Sequence, residues 1–309
     1  MDDILVSIHC ATYNHEKYIA DAIESFLMQK TNFKFEIIIH DDASTDRTAD
    51  IIRQYEKRYP ALIKPTYQLE NQYSQGRMHM IDKLFLEKTQ GKYIALCEGD
   101  DYWIDPFKLQ KQVSYMEKHP ECSLCVHGGY IVNAPDKRII AKHSSSKQNK
   151  FFSTEEVIEG GGGLFLTNSM FYLKKYELVQ PDFFKNAPVG DYPLAINLSL
   201  LGKVYYINEP MSAYRVGVEN SWTAMNMIKL ENQIKHFEQI ANMLDEVNIY
   251  TDGKYENAIN RRNYENQLAL LLEQRKFREI KCKKIKEYYS TLGFKRKCTI
   301  SVDRYCPIL

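Results

Sequence analysis

Three carboxylates fall within four positions, Glu98, Asp100 and Asp101, and two aromatics, Tyr102 and Trp103, follow at once. The run before them, Lys92-Tyr93-Ile94-Ala95-Leu96-Cys97, reads as a buried strand. Crowded carboxylates repel one another and lose hydration, so they persist where something cationic compensates them. Hard divalent ions such as Mg2+ or Mn2+ take oxygen ligands and commonly share them with phosphate groups. The cluster therefore points to phosphate-bearing chemistry. Two further polar clusters close strand-like runs. Thr12-Tyr13-Asn14 lies beyond Ile4-Leu5-Val6-Ser7-Ile8, and Asp41-Asp42 beyond Phe35-Glu36-Ile37-Ile38-Ile39.

The segments between these clusters must position them. Tyr18, Ile19, Ala22, Ile23, Phe26 and Leu27 recur at helical spacing after the first strand, with Asn14 as the expected N-cap. A second helix is expected from Ser44 or Thr45, burying Ile51, Ile52 and Tyr55. Leu62 to Tyr67 reads as a short strand and Glu70 to Arg77 as a polar loop, with a helix near Met78 to Thr89. Asp105-Pro106 opens another helix, with Leu109, Val113 and Met116 inward. Such alternation implies an α/β fold with a mostly parallel sheet and right-handed crossovers. Sheets of this kind bind ligands beyond the carboxyl ends of their strands, where all three polar clusters fall.

The second half reads differently. Lys142 to Lys150 is polar, Ser-rich and expected to be mobile, and Gly160 to Gly163 reads as a flexible break before a strand-like Leu164 to Leu173. Gly190-Asp191 precedes a helix over Tyr192 to Leu201, and Lys203 to Ile207 reads as a strand. From about Trp222 the pattern turns to long helices, which places a boundary between domains 1–220 and 221–309.

The 41 Lys/Arg and 40 Asp/Glu leave a net charge of +1, so no global field draws the chain to nucleic acid or membrane. The tail departs from this balance, with 14 Lys/Arg against 7 Asp/Glu between Thr251 and Leu309. It reads as a solvated helix face, a patch for anionic lipid head groups or a homo-oligomer interface. The 7 cysteines have no zinc spacing, and Cys122 and Cys125 read as buried free thiols in a strand. The odd count and the absence of a secretory signal favour a cytoplasmic setting, with peripheral contact at the inner face of the membrane if the tail binds lipid.

Taken in order, these residues resemble the family 2 inverting glycosyltransferases of GT-A fold, bacterial polysaccharide type. The resemblance rests on Val6-Ser7-Ile8 with Thr12-Tyr13-Asn14, on Asp41 to Asp46, on Gly91 to Trp103, on Gly190-Asp191-Tyr192 and on Pro210 with Tyr214-Arg215. It implies a GT-A core with a C-terminal helical extension and a nucleotide-diphosphate sugar as donor, commonly UDP-linked. It also implies a divalent cofactor, Mn2+ or Mg2+, and an acceptor hydroxyl on a saccharide, a lipid-linked sugar or a protein. By position, Tyr13 is expected against the nucleobase, with Asp42 accepting a hydrogen bond from it and Asp41 orienting that contact. Glu98 and Asp100 are expected at the donor, Asp100 and Asp101 at the metal, Arg215 at the diphosphate, with a structural carboxylate as its alternative partner, and Asp191 as catalytic base. Tyr102, Trp103 and Trp222 are expected at the acceptor or rim, with core packing as the alternative for Tyr102 and Trp103. Two departures stand out. Val216-Gly217 follow Tyr214-Arg215 where the family often has a metal- or diphosphate-binding His, and Lys83 stands where many members carry Asn.

Two other functions fit the same sheet less well. A sugar-nucleotide pyrophosphorylase needs a Gly-rich basic loop after the first strand, and Ala11-Thr12-Tyr13-Asn14-His15 has no glycine. A non-catalytic nucleotide-sugar-binding scaffold has no need of the intact carboxylates at the ends that carry Asp41-Asp42 and Glu98 to Asp101. Asp191 has a plain alternative as a helix cap.

Overall fold

A computed structural model describes residues 3–178, 180–184, 187–219, 221–223 and 227–276, with 279, 287–290, 292–293 and 297 beyond them. Most of the basic tail, including Lys281, Lys283, Lys284, Lys286, Lys295 and Arg296, lies outside the described residues. The chain divides into two compact units. The first comprises Met1–Thr154, Gly162–Gln180 and Leu194–Val218. The second gathers Glu219–Leu309 with two segments from before the expected boundary at 220, Glu155–Gly161 and Pro181–Pro193.

The first unit is built on one ten-stranded sheet in the order β3-β2-β1-β4-β9-β6-β10-β5, with β7 paired to β6 and β8 to β10. Its strands are β1 Ile4–Thr12, β2 Lys34–Asp41, β3 Ile63–Tyr67, β4 Tyr93–Leu96, β5 Tyr102–Trp103, β6 Cys122–Asn133, β7 Ile139–His143, β8 Lys150–Phe152, β9 Phe171–Leu173 and β10 Lys203–Val216. The β3-β2-β1-β4 half is parallel, while β9 runs antiparallel to both β4 and β6. Val6, Ile8, Cys10, Ile37 and Ile39 are fully buried, as strands covered on both faces require. Helix α1, Ile19–Leu27, buries Ile19, Ala22, Ile23 and Phe26. Helices α2 (Thr48–Arg58), α3 (Met78–Lys88) and α4 (Lys108–Lys118) follow β2, β3 and β5.

At the amino ends of these strands a polar knot sets where β4 begins. Buried Glu36 accepts bonds from the Ser7 hydroxyl at 2.6 Å, the Lys64 ammonium at 2.5 Å and the Gln90 amide at 2.7 Å. Gly91 closes against it, and a Cβ there would stand 2.5 Å from the Ser7 nitrogen. The turn into β4 thus needs glycine, and it sends Glu98 to Asp101 out of the opposite end.

Several local expectations change. Residues 142–150 are organised: the Asn208 side chain donates to the Lys147 carbonyl at 2.7 Å, and β8 pairs with β10. Only Phe171–Leu173 of the expected strand 164–173 is a strand, and β10 extends past Ile207 to Val216. Cys122 and Cys125 are buried free thiols.

In the second unit, helix α5 (Thr154–Gly160) ends at Gly161, whose φ is +69°. The glycine run is no loose break at this end. The Arg262 guanidinium donates to the carbonyls of Glu159 and Gly160 at 3.3 and 3.4 Å, and holds the Asn266 side-chain oxygen as well. A Cβ at Gly161 would meet that guanidinium at 2.6 Å. Helix α6, Asp191–Leu201, begins in this unit. Two long helices, α7 (Leu230–Tyr250) and α8 (Glu256–Glu273), follow it. Among the described residues no helix is long and apolar enough to cross a membrane.

Candidate active site

Parallel pairing sets Thr12 opposite Asp41, and the Asp42 amide donates to the Thr12 carbonyl at 3.0 Å. Both chains then turn through left-handed residues, Asn14 at φ 54° and Ala43 at φ 62°. The turns are tied together. The Asn14 amide donates to the Ser44 hydroxyl at 2.9 Å, the Thr45 amide donates to the Asn14 side-chain oxygen at 2.8 Å, and the Ser44 hydroxyl donates to Asp41. Asn14 therefore does not cap α1, which starts at Ile19; its side chain is committed to the neighbouring loop. Tyr13 is left 37% exposed at this end of the sheet.

Asp42 is buried and accepts the backbone amides of Gln72 at 2.8 Å and Tyr73 at 2.9 Å. The loop between β3 and α3 is thereby drawn onto the end of β2. Buried His40 points its Nε2 at Asp42 from 3.6 Å, too far for a hydrogen bond. Burial outweighs the Asp42 carboxylate and holds the His40 imidazole below its usual range. Burial also raises Asp41 above the ordinary carboxylate range, against the lowering effect of its Ser44 bond.

After β4 the chain crosses to the same place, with the Gly99 amide donating to the Ala11 carbonyl at 2.9 Å. A Cβ on residue 99 would lie 2.5 Å from the Thr12 hydroxyl and 3.0 Å from His15 Nδ1. Glycine is what lets the β1 and β4 ends close on each other. Glu98 is exposed and Asp100 half-buried, with Asp100 Oδ2 at 3.8 Å from His15 Nε2. Asp101 is only 1% exposed. It accepts the Arg215 amide at 2.8 Å on one oxygen and the Asn168 side-chain amide at 2.8 Å on the other. Burial, then the charges of Asp100 and Glu98, push its carboxyl well above the ordinary range.

Arg215 lies beneath this turn, not on its surface. Its guanidinium is fully buried, donates to the Asp100 carbonyl and pairs with the Asp21 carboxylate. It is flanked by the Tyr18 and Tyr102 rings at 5.1 and 4.5 Å. Trp103 takes the core alternative: it is 1% exposed, stacks edge-on against Phe26 and donates to the Asn168 carbonyl at 2.9 Å.

The first unit thus gathers Tyr13, Asp41, Asp42, Glu98, Asp100 and Asp101 at one end of its parallel strands, with Arg215 and Tyr102 behind them. Asp191 and Trp222 belong to the second unit. Asp191 opens α6 and accepts the Tyr192 amide at 2.7 Å, and the Tyr192 hydroxyl donates to the Ile158 carbonyl at 2.6 Å. Trp222 sets its ring edge-on to His236 at 5.0 Å. Thr12, His15 and Asn168 enter the site without having been singled out as site residues. For His15 the signal was its place in a polar strand end; Asn168 sits 67 residues from Asp101 and carried none.

Among the described residues no three His, Cys, Asp or Glu side chains converge as a metal cage. What converges is the half-buried carboxylate of Asp100 facing the His15 imidazole. Two side chains with open positions between them suit an ion that completes its shell with phosphate oxygens and water.

Residues 7–177 match the family described as glycosyl transferase family 2. An uncharacterized protein of Mycobacterium tuberculosis is 34% identical over 217 residues, 70% of this chain and 60% of that one. The chain thus spans 60% of the length of that relative. The UDP-Glc:alpha-D-GlcNAc-diphosphoundecaprenol beta-1,3-glucosyltransferase WfaP of Escherichia coli is 39% identical over 113 residues, 37% of this chain and 41% of that one. Among solved structures, S. aureus TarS 1-349 in complex with UDP-GlcNAc superposes with a TM-score of 0.62 at 15% identity, covering 95% of this chain and 78% of that one. The mannosyltransferase PcManGT from Pyrobaculum calidifontis in complex with GDP-Man and Mn2+ gives 0.53 at 13% identity, covering 98% and 88%. At such identities these likenesses show the fold, and the fold is the expected GT-A arrangement.

Proposed function

From the premise that this chain belongs to glycosyl transferase family 2, we propose that it transfers a sugar, with inversion, from a nucleotide-diphosphate donor to an acceptor hydroxyl. The observation that carries this reading is the meeting of three polar strand ends at Thr12, Asp42 and Gly99. In this reading Tyr13 offers its exposed ring to the nucleobase, while Asp42 and Asp41 form the polar wall that reads the base edge. A uridine donor is favoured because the E. coli relative is named for UDP-Glc and one matching structure holds UDP-GlcNAc. The name of that relative also favours a lipid-linked saccharide as acceptor, and the proposed setting is synthesis of a surface polysaccharide.

A divalent ion, Mn2+ or Mg2+, would be held through Asp100, and when bound it neutralises charge gathering on the departing diphosphate. Asp101 acts from behind: with both oxygens accepting N–H bonds, it fixes the turn that presents Asp100 and Glu98. Arg215 serves the donor at one remove, by holding the Asp100 carbonyl. The acceptor hydroxyl must lose its proton as it attacks the anomeric carbon, and Asp191 is proposed as the base that takes it. Attack opposite the leaving group gives inversion through an oxocarbenium-like state.

The test is a panel of nucleotide sugars incubated with the protein and Mn2+, following release of nucleoside diphosphate. Turnover of at least one donor is expected, lost on metal chelation. Asp191→Ala should bind that donor as the parent does and fail to turn it over. A panel with no donor bound or consumed would refute the reading.

A further inference from the structure

The Asp100 carboxylate faces one side chain that no motif assigned. His15 Nε2 stands 3.8 Å from Asp100 Oδ2, beyond hydrogen-bond reach. A separation of about 3–4 Å is what two ligands of one ion leave when each sits about 2.0–2.2 Å from it. The other ring nitrogen, Nδ1, lies 3.1 Å from the Thr12 hydroxyl. With Nδ1–H donating to that oxygen, the lone pair of Nε2 is left on the side of Asp100. Metal-binding imidazoles are typically oriented in this way through their second nitrogen. Thr12 is itself buried, and Gly99 allows it and His15 to come this close.

From this geometry, and resting on the donor reading above, we infer that His15 is the second protein ligand of the divalent ion held by Asp100. The β1–α1 turn then supplies the nitrogen that the chain lacks after Arg215, where Val216 and Gly217 stand. One carboxylate oxygen and one imidazole nitrogen leave the remaining positions to donor phosphates and water. A nitrogen ligand favours a transition ion over Mg2+, so the site prefers Mn2+. Thr12 is a positioning residue that holds the tautomer.

The experiment is Mn2+ titration of the full chain saturated with UDP, followed by electron paramagnetic resonance, with electron-spin-echo detection of nitrogen coupled to the ion. In the parent, bound Mn2+ should show imidazole nitrogen coupling. His15→Ala should lose that coupling and weaken Mn2+ at least tenfold with an unchanged melting temperature. Thr12→Val should weaken Mn2+ less and keep the coupling, whereas Asp100→Asn should abolish binding. If the parent and His15→Ala bind Mn2+ alike and neither shows nitrogen coupling, the inference is wrong while the donor reading stands. If the parent with UDP binds no Mn2+ at all, both fall together.

Discussion

At the end of β2, Asp41 takes the Ser44 hydroxyl and Asp42 takes the amides of Gln72 and Tyr73, and both carboxylates are buried. After β4, Asp101 is likewise buried and committed to Arg215 and Asn168, but Asp100 stays half-open with His15 as its neighbour. Two adjacent-Asp pairs, each at the carboxyl end of a parallel strand, thus divide their labour differently. The β2 pair closes loops over the sheet, with one lone pair on an oxygen still able to meet a base edge. The β4 pair splits into one residue that holds the backbone and one whose lone pairs remain for a ligand. A carboxylate whose oxygens already accept buried N–H groups cannot leave them without cost, and for that reason the proposed function gives the cation to Asp100.

Breaking the β4 pair one residue at a time should give the largest contrast. Asp101→Ala strands the buried Arg215 amide and the Asn168 side chain, at about 1–3 kcal/mol for each unpaired donor. Urea denaturation should report a loss of about 3 kcal/mol or more. Asp100→Ala removes a side chain that is 17% exposed and outside the Arg215 and Asn168 bonds, so it should cost about 1 kcal/mol or less, yet lose metal-dependent turnover. Equal stability losses in the two variants would erase the distinction.

Asp42→Ala probes the β2 end in the same way. It deprives two amides of their acceptor and should cost about 2 kcal/mol, with faster hydrogen exchange at Gln72 and Tyr73. UDP affinity should fall at least tenfold if this wall also reads the base. Unchanged exchange at both amides would show that the carboxylate does not hold the loop.

The same division explains what could be read in advance. The strand–helix alternation and the three polar clusters were legible because buried parallel strands are apolar until they end. Which of these carboxylates is buried against N–H donors was not, because it depends on distant partners: Gln72 for Asp42, Asn168 and Arg215 for Asp101. Asn14 looked like a helix cap and instead bridges to Thr45, a contact across strands that no local pattern encodes. The full reach of β10 was hidden by Pro210, which sits at a register shift beside β6. Arg262, in a tail that read as merely helical, closes the end of α5 through backbone carbonyls.

Acid should sharpen the picture of a sealed sheet below these ends. His9, stacked on Phe85 and bonded to Thr89, is buried, and its pKa is lowered to about 3 by burial and then by the Lys174 charge. Between the ordinary 6.5 and about 3, the unfolded chain binds a proton that the folded one refuses. Stability should therefore rise with pH across that window and be lost as pH falls through it, by about 1.4 kcal/mol per pH unit. His9→Gln should flatten the profile by that slope; an unaltered slope would mean that the imidazole is not held neutral.

The smallest effect is expected at Ala43, which holds a left-handed φ of 62° beside Asp42. An L residue there costs about 1–2 kcal/mol, partly offset by the extra freedom glycine has when unfolded. Ala43→Gly should raise stability by somewhat under about 1 kcal/mol. A lower melting temperature would show that the turn is relaxed as it stands.

The most direct measurement is calorimetric titration of nucleoside diphosphates, UDP first, with and without Mn2+, into the parent and Asp100→Asn. At least one nucleotide should bind the parent, tightened tenfold or more by the metal, and Asp100→Asn should bind it with no gain from Mn2+. Identical binding in the two proteins with and without the ion, or no nucleotide binding at all, would contradict a metal-assisted donor site at these strand ends.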